Sequence, residues 1–335
     1  MSTVRYVIKR TGVSFGLIVL VTSALFFAFR MMPGDFTSIF AQSGAGPETV
    51  ERMTEKWGLD DPLHIQYLRY MQNMLTADVG ESFRFGTDVW GLIKWRLLNS
   101  FILVGPAITA AYIAGGALGG FLGNRRGTKI EQWGVSGAVL IGAIPSFFTG
   151  IVLIIIFSSL LGWFPTGGAV SSETLRQLSE TTSGNVIPLD YYQTMDFWWH
   201  YVLPFVTIFI KYLYFPTLIM RTNVVEMSGQ GFMFYHRLSG ISPISELGKL
   251  IKHSSLPVIT LYPVSMTRAI GGMVLVEVVF NWPGIGSLLI DSVLARDFPV
   301  IQFIFFLVAV WVILGNFAVD IIYGVIDPRV SVEQG

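Results

Sequence analysis

Six stretches of this chain are long, apolar and almost free of charge, and nothing else in the sequence limits its fold so tightly. They cover residues 11–29, 97–123, 134–161, 197–220, 256–280 and 298–326. An α-helix needs about 20 apolar residues to cross the hydrocarbon core of a bilayer, so each run predicts a membrane span. Charged residues make up only 13% of the 335-residue chain, where a soluble domain carries about a quarter. That leaves too little polar surface for a water-soluble body of this size. The fold class expected is an all-α integral membrane protein with six transmembrane helices.

Six spans place both termini on one side, and the basic residues indicate which. Eleven Lys and Arg lie on the side of the termini against nine on the other, while acids number five and fifteen. Seven of those nine fall in the single segment 31–96 with its flanking Arg30, and long segments translocate with little regard to charge. Both termini are therefore expected in the cytoplasm of a multi-pass protein of the cell membrane. The apolar run after Arg10 is too long for a signal peptide, and no small-residue cleavage site follows Phe29. It reads as a retained first span.

The expected organisation is an N-terminal helix (1–30), an extracytoplasmic segment (31–96), a five-helix core (97–328) with a cytoplasmic loop at 221–255, and a short tail (329–335). Helical spacing recurs at 48–57 and 63–75, punctuated by Asp61-Pro62. Residues 162–199 open with Trp-Phe-Pro-Thr-Gly-Gly and continue through a Ser/Thr-rich stretch that reads as loop. Loop 221–255 is too short for a catalytic domain and long enough for two short helices.

Several chemical classes drop out. Gly12-Val13-Ser14-Phe15-Gly16 has the spelling of a hydrolase nucleophile elbow, but that elbow works between a strand and a helix, and here it opens a membrane span. No Gly-x4-Gly-Lys phosphate loop exists to cradle a nucleotide. The four histidines are scattered without an HExxH pattern, and there is no cysteine. Equal numbers of acids and bases, 22 each, create no global field that would attract nucleic acid.

Within the spans, Gly115, Gly119 and Gly123 recur every fourth residue, with Gly116 and Gly120 alongside. Such spacing lets helix backbones approach closely in lipid, inside one chain or between subunits. Pro106, Pro145, Pro204, Pro216 and Pro263 lie in spans two to five, as in the broken helices of transporters. Lys211, Arg268 and Glu277 also fall inside spans. A deep charge costs about 3 kcal/mol on insertion, so these three are candidates for a polar translocation path.

In order along the chain, six blocks resemble the first permease subunit of the dipeptide/oligopeptide/nickel class of ABC importers. Phe29-Arg30-Met31-Met32-Pro33-Gly34-Asp35 is similar to the family's exit from span one. Gly58-Leu59-Asp60-Asp61-Pro62-Leu63 with Gln66-Tyr67-Leu68-Arg69-Tyr70, and Asp78-Val79-Gly80-Glu81-Ser82-Phe83-Arg84, resemble its first external segment. Val276-Glu277-Val278-Val279-Phe280-Asn281-Trp282-Pro283-Gly284 resembles the "VETVFxWPG" block. Ala295-Arg296-Asp297-Phe298-Pro299 and the run from Asp320 to Arg329 resemble its closing motifs.

The resemblance implies a type I importer permease that hydrolyses nothing and binds no cofactor itself. ATP and Mg would be bound by two ABC ATPase subunits. A second, homologous permease subunit would complete the pore, and an extracytoplasmic solute-binding protein would deliver peptides, nickel chelates or oligosaccharides. It also implies that a short helix between spans four and five couples to the ATPase. Glu226, Gly229, Phe232, His236, Arg237, Gly240 and Ser242 occupy that place. Arg237, Gly240 and Ser242 match the family's "DYVxTARAKGLS", whereas Gly231, His236, Leu238 and Ser239 depart from it. Those departures leave two readings, a specialised ATPase partner or a permease-like protein that has lost standard coupling.

Because the chain is free of cysteine, its topology is directly testable. A cysteine at Ser331 should resist an impermeant thiol reagent in intact cells, and one at Ser171 should label. Labelling at Ser331 would reverse the orientation argued from the basic residues.

Overall fold

The computed structural model describes residues 3–31, 46–181, 187–231 and 242–326. Fourteen α-helices lie among them: α1 (Thr3–Arg30), α2 (Pro47–Trp57), α3 (Leu63–Thr76), α4 (Val89–Asn124), α5 (Lys129–Ala143), α6 (Ser146–Leu153), α7 (Ser172–Thr181), α8 (Pro188–Tyr191), α9 (Met195–Ser228), α10 (Pro243–Ser254), α11 (Leu256–Gly272), α12 (Val274–Val279), α13 (Ile285–Leu294) and α14 (Phe298–Ile326). The only isolated extended pairing among the described residues is the bridge between Glu81 and Asp88. The protein is all-α, as its composition predicts.

Four helices are long and apolar enough to cross a membrane by themselves: α1, α4, α9 and α14. The other two expected spans are interrupted. The third is split into α5 and α6, whose axes are bent by 98°, and α6 continues as a π-helical turn, Ile154–Leu160. The fifth is split into the 17-residue α11 and the six-residue α12. Both interruptions fall in spans that carry a proline, Pro145 and Pro263. The Ser/Thr-rich stretch expected as loop also contains helix α7. Arg176 lies 3.5 Å from Glu173 and 3.9 Å from Glu180, and such one-turn pairs support a helix whose composition looks poor.

The chain divides into two compact units, residues 1–100 with 283–335, and residues 101–282. In the first, α1 packs along α14 and α3 lies on α1. Phe26 of α1 meets Tyr67 and Tyr70 of α3 at centroid distances of 5.4 and 5.3 Å, and Trp57 stacks on Tyr70 at 5.6 Å. Arg10 Nε donates to Asp320 at 2.5 Å, which pairs a charge of α1 with the one acid of α14. Thr22 and Ser23 return their hydroxyls to Ile18 and Val19 carbonyls, both at 2.7 Å. In lipid that local bond removes a polar group at no cost in partners.

The core of the second unit is built on α4 and α9, which run parallel. Gly115, Gly119 and Gly123 form the seam: a Cβ at these positions would sit 2.6 Å from Pro216, 2.3 Å from the Thr217 carbonyl and 2.7 Å from Val224. The four-residue glycine repeat therefore serves packing within the chain. Gly116, by contrast, has no heavy atom within 4 Å of an added Cβ. At the far end of α9, Phe197 and Tyr201 pack on the fully buried Trp282, with centroids 5.6 and 6.0 Å away. Gly168 N donates to the Phe280 carbonyl at 2.8 Å, and Gly167 lies so close that a Cβ would meet the same oxygen at 2.3 Å. Thus Trp-Phe-Pro-Thr-Gly-Gly and Phe280-Asn281-Trp282 are two halves of one knot.

Gly119→Ala should lower the unfolding stability of the purified protein in detergent by about 1–3 kcal/mol, the usual range for overpacking. Gly116→Ala, facing open space, should stay within about 0.5 kcal/mol of wild type. Equal thermal midpoints for the two variants would contradict the seam.

Candidate functional site

Three polar constellations stand out in a chain with few polar residues. The first lies at the break between α5 and α6. Pro145 has no N–H and Ile144 leaves the helix with φ −73° and ψ 131°, so the last carbonyls of α5 lose their intrahelical donors. Lys211, in the middle of α9, supplies the replacement: Nζ donates to the Gly142 carbonyl at 2.8 Å and to the Ile144 carbonyl at 3.0 Å. The same ammonium lies 5.9 Å from the centroid of the Tyr214 ring. That ring packs so tightly on Gly142 that a Cβ there would come within 2.6 Å of it. The positive charge also suits the negative end of the α5 dipole.

At its other end α5 is held by the same partner helix. Thr128 caps it, accepting from Glu131 N at 3.3 Å. Glu131 is buried, accepts from Gly127 N at 2.6 Å, and takes a bond from Arg221 Nε at 2.7 Å. Arg221 NH2 makes a further short contact with the same carboxylate oxygen. Helix α9 therefore grips the antiparallel α5 by a cation at each end.

The second constellation is a pair of hydroxyl links joining α4 to α11. Thr109 and Tyr262 share a bond of 2.7 Å, and Tyr112 and Ser265 one of 2.5 Å, with Tyr112 also 3.2 Å from the Leu261 carbonyl. They border an apolar groove of about 380 Å³ that includes Gly116, Ala117 and Ile259. Farther along α11, Arg268 is exposed, while Glu277 is buried in α12. Lys211 bonds the carbonyls at the α5–α6 break rather than a carboxylate.

The third is in the first unit. Asp297, fully buried, accepts from the Ser82 hydroxyl at 2.5 Å and from the backbone N–H groups of Phe83 and Arg84 at 3.2 and 3.3 Å. Arg84 NH1 donates to the Asp291 carbonyl at 3.1 Å. Asn99 Nδ2 and Ser100 Oγ bond the Pro283 carbonyl and the Ile285 N–H, both at 2.8 Å. Blocks distant in sequence are in this way fastened to one another.

Of the candidate coupling residues, Glu226 and Gly229 are exposed at the end of α9, where Gly229 N donates to the Glu226 carbonyl at 3.2 Å. Ser242 caps α10, its hydroxyl accepting from Ser245 N at 3.4 Å. Phe232, His236, Arg237 and Gly240 lie outside the described residues. Sequence reasoning passed over Glu131, although Thr128-x-x-Glu131 spells a helix start, and gave the hydroxyls of Thr109, Tyr112, Tyr262 and Ser265 no role.

A helical membrane body with these motif blocks defines an importer permease, and comparison with known proteins identifies which kind. Residues 115–332 match the family of binding-protein-dependent transport system inner membrane components, and residues 3–101 match the N-terminal module of such components. The chain belongs to this family. It is 34% identical over 329 residues to the oligopeptide transport system permease protein AppB of Bacillus subtilis, covering 97% of this chain and 99% of that one. It is 32% identical over 332 residues to the glutathione transport system permease protein GsiC of Salmonella typhimurium, covering 97% and 98%. A probable peptide ABC transporter permease of Sinorhizobium fredii is 28% identical over 327 residues, at 97% and 98% coverage. The chain is a type I permease component of an ABC importer located in the membrane.

Asp297→Ala removes the acceptor of three donors, two of them buried, and should cost about 3 kcal/mol, the upper range for hydrogen bonds to a charged group. Limited trypsin digestion at Arg84 reports the loop directly. Cleavage should quicken in Asp297→Ala, and an unchanged rate would mean that the carboxylate does not hold the loop.

Proposed function

We propose that this chain is one half of a two-permease pore that imports peptides. The full-length match to relatives named for oligopeptide and glutathione transport is the observation that carries this reading. A second, homologous permease supplies the facing wall, two ABC ATPases supply ATP hydrolysis with their own Mg, and an extracytoplasmic binding protein delivers the solute. Both termini lie in the cytoplasm. Residues Glu226, Gly229, Phe232, His236, Arg237, Gly240 and Ser242 form the contact with the ATPase, and Lys211, Arg268 and Glu277 border the path.

The mechanism follows from the need to open one side at a time. ATP closes the ATPases, their motion enters the permease through the segment 226–242, and the path turns outward to take solute from the binding protein. A shift of this kind requires only a few kcal/mol of difference in ligand binding between two states. The chain's own part is to shape the path and move it.

In proteoliposomes holding the whole complex, uptake of a labelled tripeptide mixture should require both ATP and the binding protein. The family resemblance implies that Gly240, within 226–242, follows the short coupling helix at a turn, where a side chain in a left-handed conformation would cost about 1 kcal/mol or more. Gly240→Val should leave the complex assembled and ATP hydrolysis measurable, while uptake falls at least tenfold. Ser172→Val, in the external segment, serves as control. Uptake at the wild-type rate in Gly240→Val would remove 226–242 from the coupling role.

A further inference from the structure

The two cations on α9 hold α5 at both of its ends, and this arrangement has a mechanical meaning. At one end Arg221 bonds the buried Glu131, 2.7 Å from Nε to carboxylate. At the other, Lys211 bonds the Gly142 and Ile144 carbonyls at 2.8 and 3.0 Å. Between these points α5 lies along α9 in one of the most extensive helix contacts of the unit, and Tyr214 seats on Gly142. The glycine seam adds α4 to the same body. Helix α5 is thus tied to α9 at both ends and along its length.

Beyond Ile144 the restraint changes. Helix α6 starts at Pro145 with no side-chain cap on its N-terminus, and it packs on α12 as well as on α9, with Gly150 against the Phe280 ring. The joint between them is a 98° bend made at a proline. Its freed carbonyls depend on one side chain borne by a different helix. Sharp bends at proline are natural pivots because the ladder of backbone bonds is already open there.

We propose that α5 is a strut carried by α9, and that Lys211 and Arg221 are positioning residues that make the α5–α6 joint follow the motion of α9 during transport. This rests on reading 226–242, which begins in the last turn of α9 at Glu226, as the contact with the ATPase. Lys211 in this role does not bind solute: it holds the joint at its bent angle in the nucleotide-free state, and Arg221 prevents α5 from slipping along α9 when the joint is loaded and the angle changes.

The test uses the assembled complex, with spin labels on cysteines at Trp133 of α5 and Ile155 beyond α6, both exposed at 77% and 49%. A straight helix would separate these two Cα atoms by about 33 Å, and a 98° bend brings them to about 22 Å, at 1.5 Å per residue. In the nucleotide-free complex, Lys211→Met should lengthen or broaden the distance and Lys211→Arg should preserve it. An unaltered, sharp distance in Lys211→Met would overturn the pin. In the second arm, trapping with Mg-ATP and vanadate should shift the wild-type distance by about 5 Å or more, a few residues' worth of helix rise. Glu131→Gln should diminish that shift while ATP hydrolysis continues, and reversal of the pair, Glu131→Arg with Arg221→Glu, should restore it. A wild-type distance that ignores trapping, in a complex that vanadate does inhibit, would overturn the moving joint. A complex that hydrolyses no ATP would instead refute the coupling reading, and the nucleotide-free arm would still decide what Lys211 does.

Discussion

Hydrocarbon offers no water to an unpaired carbonyl, and the architecture follows from how this chain meets that demand. Most of it does so by remaining in long helices such as α4, α9 and α14. Thr22, Ser23, Thr207 and Thr217 fold their hydroxyls back onto carbonyls of the preceding turn. The break at Pro145 is the place where local repair fails, and a lysine on another helix completes it. A charge that would cost several kcal/mol if left bare in lipid is accepted because it satisfies two carbonyls and faces the negative end of a helix.

The sequence read well wherever one helix solves its own problem. The last span was expected at residues 298–326, and α14 occupies Phe298–Ile326, since its apolar run starts sharply after Arg296-Asp297. Helices α2 and α3 were equally plain from their spacing and from Asp61-Pro62. Pro145 marked the third span as a candidate broken helix, but a proline alone does not tell a kink from a sharp bend. The group that permits a full break lies 67 residues from Ile144, where no local pattern announces it. Helix α7 was hidden for a different reason: in a Ser/Thr-rich stretch its short apolar side, with Leu178 packed on the core, leaves too brief a pattern to read.

The candidate site was legible in part. Lys211 was conspicuous as a charge in a span, yet its type alone does not distinguish a path residue from a helix cap. The glycine repeat left packing inside the chain and packing between subunits equally open, and only the distances to Pro216, the Thr217 carbonyl and Val224 decide it. Glu131 was passed over because an acid near the end of a charged turn looks ordinary until Arg221, 90 residues later, is seen to meet it. Motif blocks were recognisable as spellings, whereas their reason for existing, contact with one another, is a three-dimensional fact.

The Asp297 clamp bears on how proteins of this family can be recombined. A buried carboxylate held by Ser82 and two N–H groups of the following residues makes the segments around 78–84 and 291–302 a single inheritable module. Neither half carries its own solution to the buried charge. A chimaera that kept this chain's segment between α1 and α4 but took its last span from a relative would have to supply a matching carboxylate for the hydroxyl and backbone turn across the crossover. Recombination boundaries placed so that both segments come from the same parent avoid that conflict, whatever solute each parent carries.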